Sequence, residues 1–362
     1  MPPSSASTPP PEKVKVAVFG SGRMGTIRSQ LLYANPKMEL VGIVDTASTN
    51  NENPAQFLAS SLETEAYSSL SDLVVNNTSN QLDGIVCCTP THTHASVVQE
   101  ALELETTRGM FVEKPVDESA SKIKSLFEHV KKDVSRNFQL CCGFQRRFDP
   151  SYQDLLETVR SGAIGKPLNI NIFFGDHPVP DLEFLKEGGG IFMDLSAHDV
   201  DFVLQVMGQN QETGITGADI VESVFASGTS SVPELDEIGV HDNATMTMKF
   251  QSGSVATIFM SRSASYGYDQ RCEIFGTEGL CQVENIKETS VVLSNKDGIH
   301  QSKYLHSFPQ RFEKAFGIEM DIFADVLLGQ HAWPITEDDC IRVQKIADAA
   351  QESCRTGQLV HL

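Results

Sequence analysis

The sequence predicts an α/β protein of two domains: a doubly wound parallel sheet, followed by an α+β domain with a mostly antiparallel open sheet. Three observations lead to this fold class. The 362 residues exceed what a single core usually holds. Strand-like and helix-like segments alternate through the first half, whereas the second half has several strands with few helices between them. We therefore expect a disordered tail at 1–13, the parallel-sheet domain at 14–144 and the second domain at 145–362.

The first half contains five apolar runs of the length that buried parallel strands have. These runs are Val14–Gly20, Glu39–Asp45, Leu82–Thr89, Gly109–Glu113 and Phe138–Phe144. Helical spacing follows the first run, at Met24, Ile27 and Leu31, and helices are also predicted after the second, third and fourth runs. A sheet of this kind binds its ligand beyond the carboxyl ends of its strands, so residues at those ends are the first candidates for a site.

The second half begins with helices and then becomes rich in strands. Residues 244–250 alternate between apolar and polar side chains, which is typical of a strand with one buried face. Further strands are predicted near Leu168–Phe174, Ser254–Ser261, Gln270–Phe275 and Val291–Ser294, and helices near Tyr152–Arg160, Asp194–Met207, Arg311–Leu328 and Thr336–Cys354. This order predicts an antiparallel sheet backed by helices.

The composition excludes several classes of protein. Hydrophobic residues make up 40% of the chain and charged residues 21%, which excludes a mainly disordered protein. No apolar run approaches the roughly 18–20 residues needed to cross a bilayer. Phosphate backbones and anionic membranes would repel a net charge of −20, so we expect neither nucleic-acid nor membrane binding.

The cysteines and the N-terminus predict a compartment. The 8 cysteines include the adjacent pairs Cys87-Cys88 and Cys141-Cys142 within apolar runs, and neighbours on a strand point to opposite faces. We therefore expect buried free thiols in a reducing compartment. The Pro- and Ser-rich tail lacks the apolar core of a signal peptide, so a cytoplasmic location is expected. CxxC and HExxH are absent from the sequence, and no metal site is predicted.

The first motif that carries chemistry is a GxGxxG turn at Gly20–Gly25. It follows the first strand and opens the first helix, where a dinucleotide pyrophosphate meets the backbone N–H groups of a helix N-terminus. Asp45 ends the second strand, where its carboxylate can accept both hydroxyls of the adenosine ribose. The segment Thr46–Asn51 contains no Arg or Lys to hold a 2′-phosphate, which favours NAD over NADP without excluding NADP.

Two further motifs are ambiguous when each is taken alone. Lys114, in the Glu113-Lys114-Pro115 turn at the ligand edge of the sheet, can hydrogen-bond a substrate hydroxyl or take its proton. A solvated lysine at a strand end is the simpler interpretation. Asp194 and His198 have the i, i+4 spacing that lets a carboxylate hold an imidazole base. Taken alone, that spacing is better explained by a helix-capping aspartate and a structural histidine.

Taken together, the motifs resemble the Gfo/Idh/MocA oxidoreductases from about Val14 to the C-terminus. The blocks that carry the resemblance are Gly20–Gly25, Thr89-Pro90 with His94, Glu113–Pro115, Gly143–Asp149 and Gly189–Asp201. Ser261-Arg262, Tyr266–Arg271 and Phe275–Gly279 are similar to the inositol 2-dehydrogenase branch in particular. The resemblance implies a Rossmann domain that binds NAD, and a second domain that binds substrate and joins a homodimer or homotetramer through its sheet.

The resemblance also implies roles for individual residues. The catalytic residues would be Lys114, Asp194 and His198. The cofactor-binding residues would be Gly20, Gly22, Arg23, Met24, Gly25, Asp45, Thr89, Pro90, His94, Glu113, Lys114 and Arg146. The substrate-binding residues would be Lys114, Asp176, His177, Asp194, His198 and Tyr268. Asp199 and Asp201 are expected on polar faces or in packing.

The implied activity is NAD-dependent oxidation of a secondary hydroxyl of a cyclic polyol such as myo-inositol. The loop Gly175–Pro178 departs from the Arg-containing pattern of inositol dehydrogenases, which keeps another sugar, polyol or dihydrodiol dehydrogenase open. A non-catalytic dinucleotide-binding sensor is a third hypothesis. Residues 14–144 carry 11 basic and 15 acidic residues, and residues 145–362 carry 16 and 32. The less acidic half suits a dinucleotide, and the strongly acidic half suits a neutral polyol better than a phosphorylated sugar.

Overall fold

The computed structural model describes residues 13–46, 54–76, 81–132, 137–187, 190–208 and 220–362. The predicted tail before Lys13, the loop after Thr46 that bears on NADP, and Gly188-Gly189 lie outside these ranges. Contacts divide the chain into two compact units. Unit 1 comprises Met1–Asp117, Ser125–Gly143 and Gly317–Ile335, and unit 2 comprises Glu118–Lys124, Phe144–Phe316 and Thr336–Leu362.

Strands occur in both units. In chain order they are β1 (Val14–Phe19), β2 (Met38–Val44), β3 (Ala66–Tyr67), β4 (Gly84–Cys87), β5 (Gly109–Val112), β6 (Gln139–Cys142), β7 (Pro167–Gly175), β8 (Val221–Thr229), β9 (Asn243–Phe250), β10 (Val255–Ser261), β11 (Asp269–Gly276), β12 (Leu280–Val283), β13 (Val292–Asn295), β14 (Gly298–Gln301) and β15 (Val360–His361).

Helices separate the strands, more regularly in the first half than in the second. They are α1 (Arg23–Ala34), α2 (Pro54–Ser61), α3 (Leu70–Asn76), α4 (His94–Leu102), α5 (Ala120–Lys132), α6 (Pro150–Arg160), α7 (Leu182–Glu187), α8 (Ile191–Asp194), α9 (Ser196–Met207), α10 (Pro233–Asp236), α11 (Phe308–Arg311), α12 (Glu313–Leu327) and α13 (Glu337–Thr356). Within the described ranges no helix combines the length and the apolar character that crossing a bilayer requires.

Unit 1 contains the predicted parallel sheet. Its strand order is β3-β2-β1-β4-β5-β6, and every pairing in it is parallel. The order reverses between β1 and β4, so the carboxyl ends of these two strands flank the position where such sheets bind ligands. The doubly wound half of the predicted fold class is therefore confirmed.

One helix lies in a different unit from the one predicted. All of 145–362 was predicted to form the second domain, but Gly317–Ile335 belongs to unit 1. Met320, Phe323 and Leu327 of α12 are buried in the same core as Val16 and Phe111 of the parallel sheet. The apolar face of α12 is thus covered by unit 1. A single boundary at 144/145 cannot describe a chain that returns in this way.

Unit 2 contains a seven-stranded sheet in the order β12-β11-β7-β10-β9-β8-β15, with β7 and β10 parallel and the other pairings antiparallel. This confirms the mostly antiparallel second domain. β8 was missed by the sequence analysis. Its pairing with β9 shifts register between Val221 and Ser223, and such a bulge breaks the alternation of period two by which a strand is identified.

Candidate active site

The glycine turn of unit 1 leaves room where a phosphate would approach. Gly20 has a φ of +88°, and a Cβ there would lie 2.8 Å from the carbonyl oxygen of Cys88. A Cβ on Gly25 would lie 1.8 Å from the carbonyl oxygen of Gly20. Gly22 is different, because a Cβ there would meet no heavy atom within 4 Å. Two glycines therefore serve close packing of the chain, and Gly22 faces open space at the start of α1, as a dinucleotide site requires.

Asp45 is held against this turn by Ser21. The backbone N–H of Ser21 donates to Oδ2 of Asp45 at 2.8 Å, and its hydroxyl donates to the same oxygen at 2.5 Å. The first turn of α1, which begins at Arg23, contains no acidic residue. The predicted neighbours Gly20–Gly25 and Asp45 thus come together, and Ser21, which the sequence analysis did not select, orients the carboxylate. The hydroxyl of Ser21 within the glycine turn was the feature of the sequence that could have identified this residue.

His94 braces two loops at the ligand edge of the sheet. Its Nε2 lies 2.9 Å from the carbonyl oxygen of Thr89, and its Nδ1 lies 3.1 and 3.2 Å from those of Pro115 and Val116. Burial lowers the pKa of His94, against the effect of these carbonyl contacts. The ring is 1% exposed, so the structure gives it a structural contact rather than the predicted contact with a cofactor.

The carboxylate of Glu113 forms an ion pair with Arg28. Arg28 Nε donates to Glu113 Oε1 at 2.8 Å, and Arg28 Nη2 lies 2.7 Å from that oxygen and 2.6 Å from Oε2 of Glu319. Burial raises the pKa of Glu319 to about 7, against the opposing effect of Arg28. Lys114 is partly exposed and lies two residues after the end of β5. The structure thus places Lys114 at the predicted edge, and it adds Arg28 and Glu319, which the sequence analysis missed.

In unit 2, Asp194 and His198 lie on consecutive helices. The helix predicted as one element near Asp194–Met207 is interrupted at Leu195, so that Asp194 ends α8 and His198 lies in α9. Arg262 Nη1 lies 2.9 Å from Oδ2 of Asp194, and Phe144 packs edge-on against the His198 ring. Arg262 belongs to a motif that the sequence analysis quoted, but its role as the partner of Asp194 was not predicted.

Arg146 does not fit its predicted role. Its side chain is fully buried in unit 2, 2.8 Å from Oδ1 of Asp199, and it donates to Oε1 of Gln270 at 2.6 Å. A cofactor contact by this guanidinium is therefore not supported. Asp199 and Asp201, expected on polar faces or in packing, belong to the packing, since both carboxylates are buried in ion pairs, Asp201 with Arg147. Burial raises the pKa of Asp199 to about 6, opposed by Arg146.

Asp176 and His177 extend from the carboxyl end of β7. The backbone N–H of Asp176 donates to the carbonyl oxygen of Ser261 at 2.7 Å, beside Arg262. The His177 ring lies edge-on to His306, with ring centroids 5.0 Å apart. His306 was not predicted. Tyr268, predicted to bind substrate, is instead 2% exposed and packs against Phe174 and Phe312, so its side chain belongs to the core.

The two sets of residues have distinct chemical capacities. Unit 1 offers a glycine turn with a carboxylate, suited to a dinucleotide, and a lysine at the same sheet edge. Unit 2 offers an imidazole, an ion-paired carboxylate and a polar loop, suited to hydroxyl groups. Within the described ranges, no group of three His, Cys, Asp or Glu side chains is placed to hold a metal ion.

Comparison with known proteins agrees with this division. A sequence profile described as "Oxidoreductase family, NAD-binding Rossmann fold" matches residues 14–138, and one described as "GFO/IDH/MocA C-terminal domain" matches residues 152–282. The myo-inositol 2-dehydrogenase of Thermotoga maritima is 33% identical over 352 residues, which cover 96% of this chain and 98% of the relative. The scyllo-inositol 2-dehydrogenase (NAD(+)) of Bacillus subtilis is 30% identical over 97% of this chain and 96% of the relative.

A solved structure extends the likeness to three dimensions. The crystal structure of scyllo-inositol dehydrogenase from Lactobacillus casei with bound NAD(H) and scyllo-inositol is 25% identical to this chain, with a TM-score of 0.83. The match covers 97% of this chain and 99% of that chain. The similarity therefore includes both the parallel sheet and the open antiparallel sheet.

Proposed function

Because this chain belongs to the Gfo/Idh/MocA family of oxidoreductases, we propose that it oxidises a secondary ring hydroxyl of an inositol, with NAD as the cofactor. The observation that carries the proposal is the whole-chain likeness to a structure holding NAD(H) and scyllo-inositol. The separate geometry of each unit supports it. Myo-inositol is the substrate that we propose first, as in the Thermotoga relative.

Residues of unit 1 would hold the cofactor. The open space at Gly22 and the first turn of α1 fit a pyrophosphate, and Asp45 fits the two hydroxyls of a ribose. Other proposed contacts of the cofactor lie at the start of α1 and shortly after β4, namely Arg23, Met24, Thr89 and Pro90. NAD, when bound, supplies the acceptor for the hydride.

The chain's own residues would handle the proton. We assign to Lys114 a hydrogen bond donated to the oxygen of the reacting hydroxyl, which stabilises negative charge as the proton leaves. We assign to His198 the acceptance of that proton. Asp194, held by Arg262, would orient the imidazole or a substrate hydroxyl as an ion-paired acceptor.

The loop at the end of β7 supports a second candidate function. Asp176 and His177 stand where inositol dehydrogenases carry an Arg-containing pattern, and His306 lies beside His177. A ring with a different arrangement of hydroxyls would suit this pair of imidazoles. The alternative is therefore a dehydrogenase of another sugar, polyol or dihydrodiol, with the same proton chemistry.

A substrate screen tests both candidates. NADH formation is measured with myo-inositol, scyllo-inositol, glucose, xylose and galactose, each with NAD⁺ and with NADP⁺. Highest kcat/KM on an inositol with NAD⁺ is the expected result. Preference for another polyol supports the second candidate. Tight NADH binding without turnover on any substrate would contradict both and indicate a sensor.

Two variants test the assigned residues. Lys114→Ala and His198→Ala should each lower kcat by about 100-fold or more, since general acid–base groups contribute on that scale. The Kd for NAD should change little, because the glycine turn and Asp45 hold the cofactor. Wild-type turnover in Lys114→Ala would refute its assignment.

The outward face of the unit 2 sheet supports association with a second copy of the chain. Phe225 and Phe275 are 44% and 52% exposed on this face, and Phe173 stacks on Phe259 on the same face. Exposed aromatic side chains on an open sheet favour a protein partner. We propose a homodimer or homotetramer in the cytoplasm. Light scattering at micromolar concentration tests the assembly, and a monomer there would contradict it.

A further inference from the structure

Three charged side chains meet in the interior of unit 1. Arg28 of α1 bridges Glu113, which follows β5, and Glu319 of α12. The side chain of Arg28 is 1% exposed, that of Glu319 0% and that of Glu113 14%. The guanidinium also lies over the ring of Phe111, 4.5 Å from its centroid. One cation is thus shared by two carboxylates in a nearly dry environment.

This arrangement is unfavourable for stability alone. Burying an ion costs several kcal/mol, and well-packed apolar side chains often replace a buried ion pair without loss. Here the charges do not cancel, because two carboxylates share one guanidinium. Burial accordingly raises the pKa of Glu319 to about 7. Buried charged groups that do not favour stability are often found at functional sites.

The bridge ends on the residue that precedes Lys114. Glu113 is anchored through its carboxylate by Arg28, and its backbone N–H donates to the carbonyl oxygen of Cys87. On the other side of Lys114, the carbonyl oxygens of Pro115 and Val116 lie 3.1 and 3.2 Å from Nδ1 of His94. Lys114 therefore lies between two neighbours of fixed position. Glu113 is held by the charge of Arg28, and Pro115 lies against the imidazole of His94.

We propose that Arg28 and Glu319 are positioning residues, which hold Glu113 and thereby fix the backbone that carries Lys114. The inference rests on the proposed role of Lys114. Glu319 lies on α12, in the segment of the chain that returns to unit 1. This return would therefore contribute to catalysis as well as to packing. Neither residue touches the reacting atoms.

Arg28→Lys and Glu319→Ala test this role. A lysine ammonium lacks the fork that reaches two carboxylates at once. We expect kcat to fall about tenfold in each variant, less than the roughly 100-fold that a 1 Å misplacement can cost. The KM for NAD should stay within about twofold. Glu319→Gln, which keeps an oxygen that can accept from Arg28, should recover part of the loss.

Asp325→Asn is the matched control. Asp325 also lies on α12 and pairs with Lys37, which follows α1, at 2.7 Å. This variant loosens α12 from the turn after α1 without affecting Glu113, and we expect wild-type kcat. An equal fall of kcat in Asp325→Asn, or unchanged kcat in both Arg28→Lys and Glu319→Ala, would overturn the proposal.

Hydrogen exchange separates this proposal from the proposed function. Amide exchange in the segment 109–117 should be faster in Arg28→Lys and Glu319→Ala, and unchanged in Asp325→Asn. Should the wild-type protein oxidise no polyol, the proposed function fails and exchange alone decides the positioning role. Unchanged exchange in the two variants would then refute it.

Discussion

Arg262 pairs with Asp194, with 2.9 Å between Nη1 of the arginine and Oδ2 of the aspartate. The arginine side chain is 4% exposed and the aspartate side chain 25%. The backbone N–H of Arg262 donates to the carbonyl oxygen of Asp242. Arg262 is therefore held both at its backbone and at its guanidinium. A charge-assisted hydrogen bond from a fixed donor sets the orientation of the carboxylate.

Removing the guanidinium of Arg262 should therefore impair turnover. We expect Arg262→Ala to lower kcat about 10- to 100-fold, because Asp194 loses its orientation and its counter-charge. Added guanidinium chloride at millimolar concentration should restore part of the activity. Arg271→Ala is the control, since Arg271 makes a more exposed ion pair with Asp269 in the same unit. Equal kcat in wild type and Arg262→Ala would contradict the role.

Two glycines of the same turn should respond differently to alanine. Gly22→Ala meets no protein atom within 4 Å, so its cost to folding should be less than about 1 kcal/mol, that of a poorer helix cap. The added methyl would nevertheless block the approach of a pyrophosphate and raise the Kd for NAD about tenfold or more.

Gly25→Ala should instead lower Tm, because its Cβ would overlap the carbonyl oxygen of Gly20, an overpacking that costs roughly 1–3 kcal/mol. Thermal melts and NAD titrations of both variants check the contrast. Loss of stability in Gly22→Ala together with unchanged NAD affinity would show that the turn serves packing alone.

Ser21 should contribute to NAD affinity through Asp45. Ser21→Ala removes the hydroxyl donor to Asp45 Oδ2 and leaves the backbone donor in place. A lost hydrogen bond of about 1 kcal/mol predicts a Kd for NAD raised about fivefold. Ser68→Ala removes a similar hydroxyl contact, to Asp72, and should leave the Kd unchanged. Calorimetric titration distinguishes the two, and equal affinities in all three proteins would be evidence against the ribose site.

Stability should depend on pH through Glu319. Burial raises the pKa of Glu319 from the ordinary 4.5 to about 7. Between these values the folded protein keeps a proton that the unfolded chain has released, so the contribution of this group to stability falls as the pH rises. Replacement by an uncharged side chain removes that fall.

Glu319→Gln should accordingly gain stability relative to wild type as the pH rises from 5 to 8, by at most on the order of 3 kcal/mol. Urea denaturation of both proteins at the two pH values measures this difference. Groups such as Asp199, whose pKa is raised to about 6, titrate in both proteins and cancel. A stability difference that does not change with pH would show that Glu319 has an ordinary pKa in the fold.

Part of the candidate site was predictable because it depends on local sequence. The turn Gly20–Gly25 is defined by spacing and by its place between a strand and a helix, and Asp45 by its place at the end of the next strand. Lys114 likewise follows a recognisable strand. For these residues, knowing the secondary structure is enough to assign the edge of the sheet on which they lie.

The predicted contacts that the structure does not support concern residues whose environment depends on distant segments. Arg146 was predicted at the cofactor because it lies in a family motif, yet Asp199 and Gln270 enclose it. Tyr268 was predicted at the substrate and is buried instead. Nothing in the local sequence of either residue indicates which side chains surround it.

By itself, the sequence determined the fold class, five of the six strands of the parallel sheet, and the positions of the glycine turn and of Lys114, whereas α2 and the short β3 were missed. Periodicity and turn chemistry are local, so they are readable without the fold. Only the tertiary structure decided that α12 returns to unit 1 and that Glu319 thereby reaches Arg28. Which charges share a buried space depends on how distant segments pack, and one carboxylate resembles another until its neighbours are known.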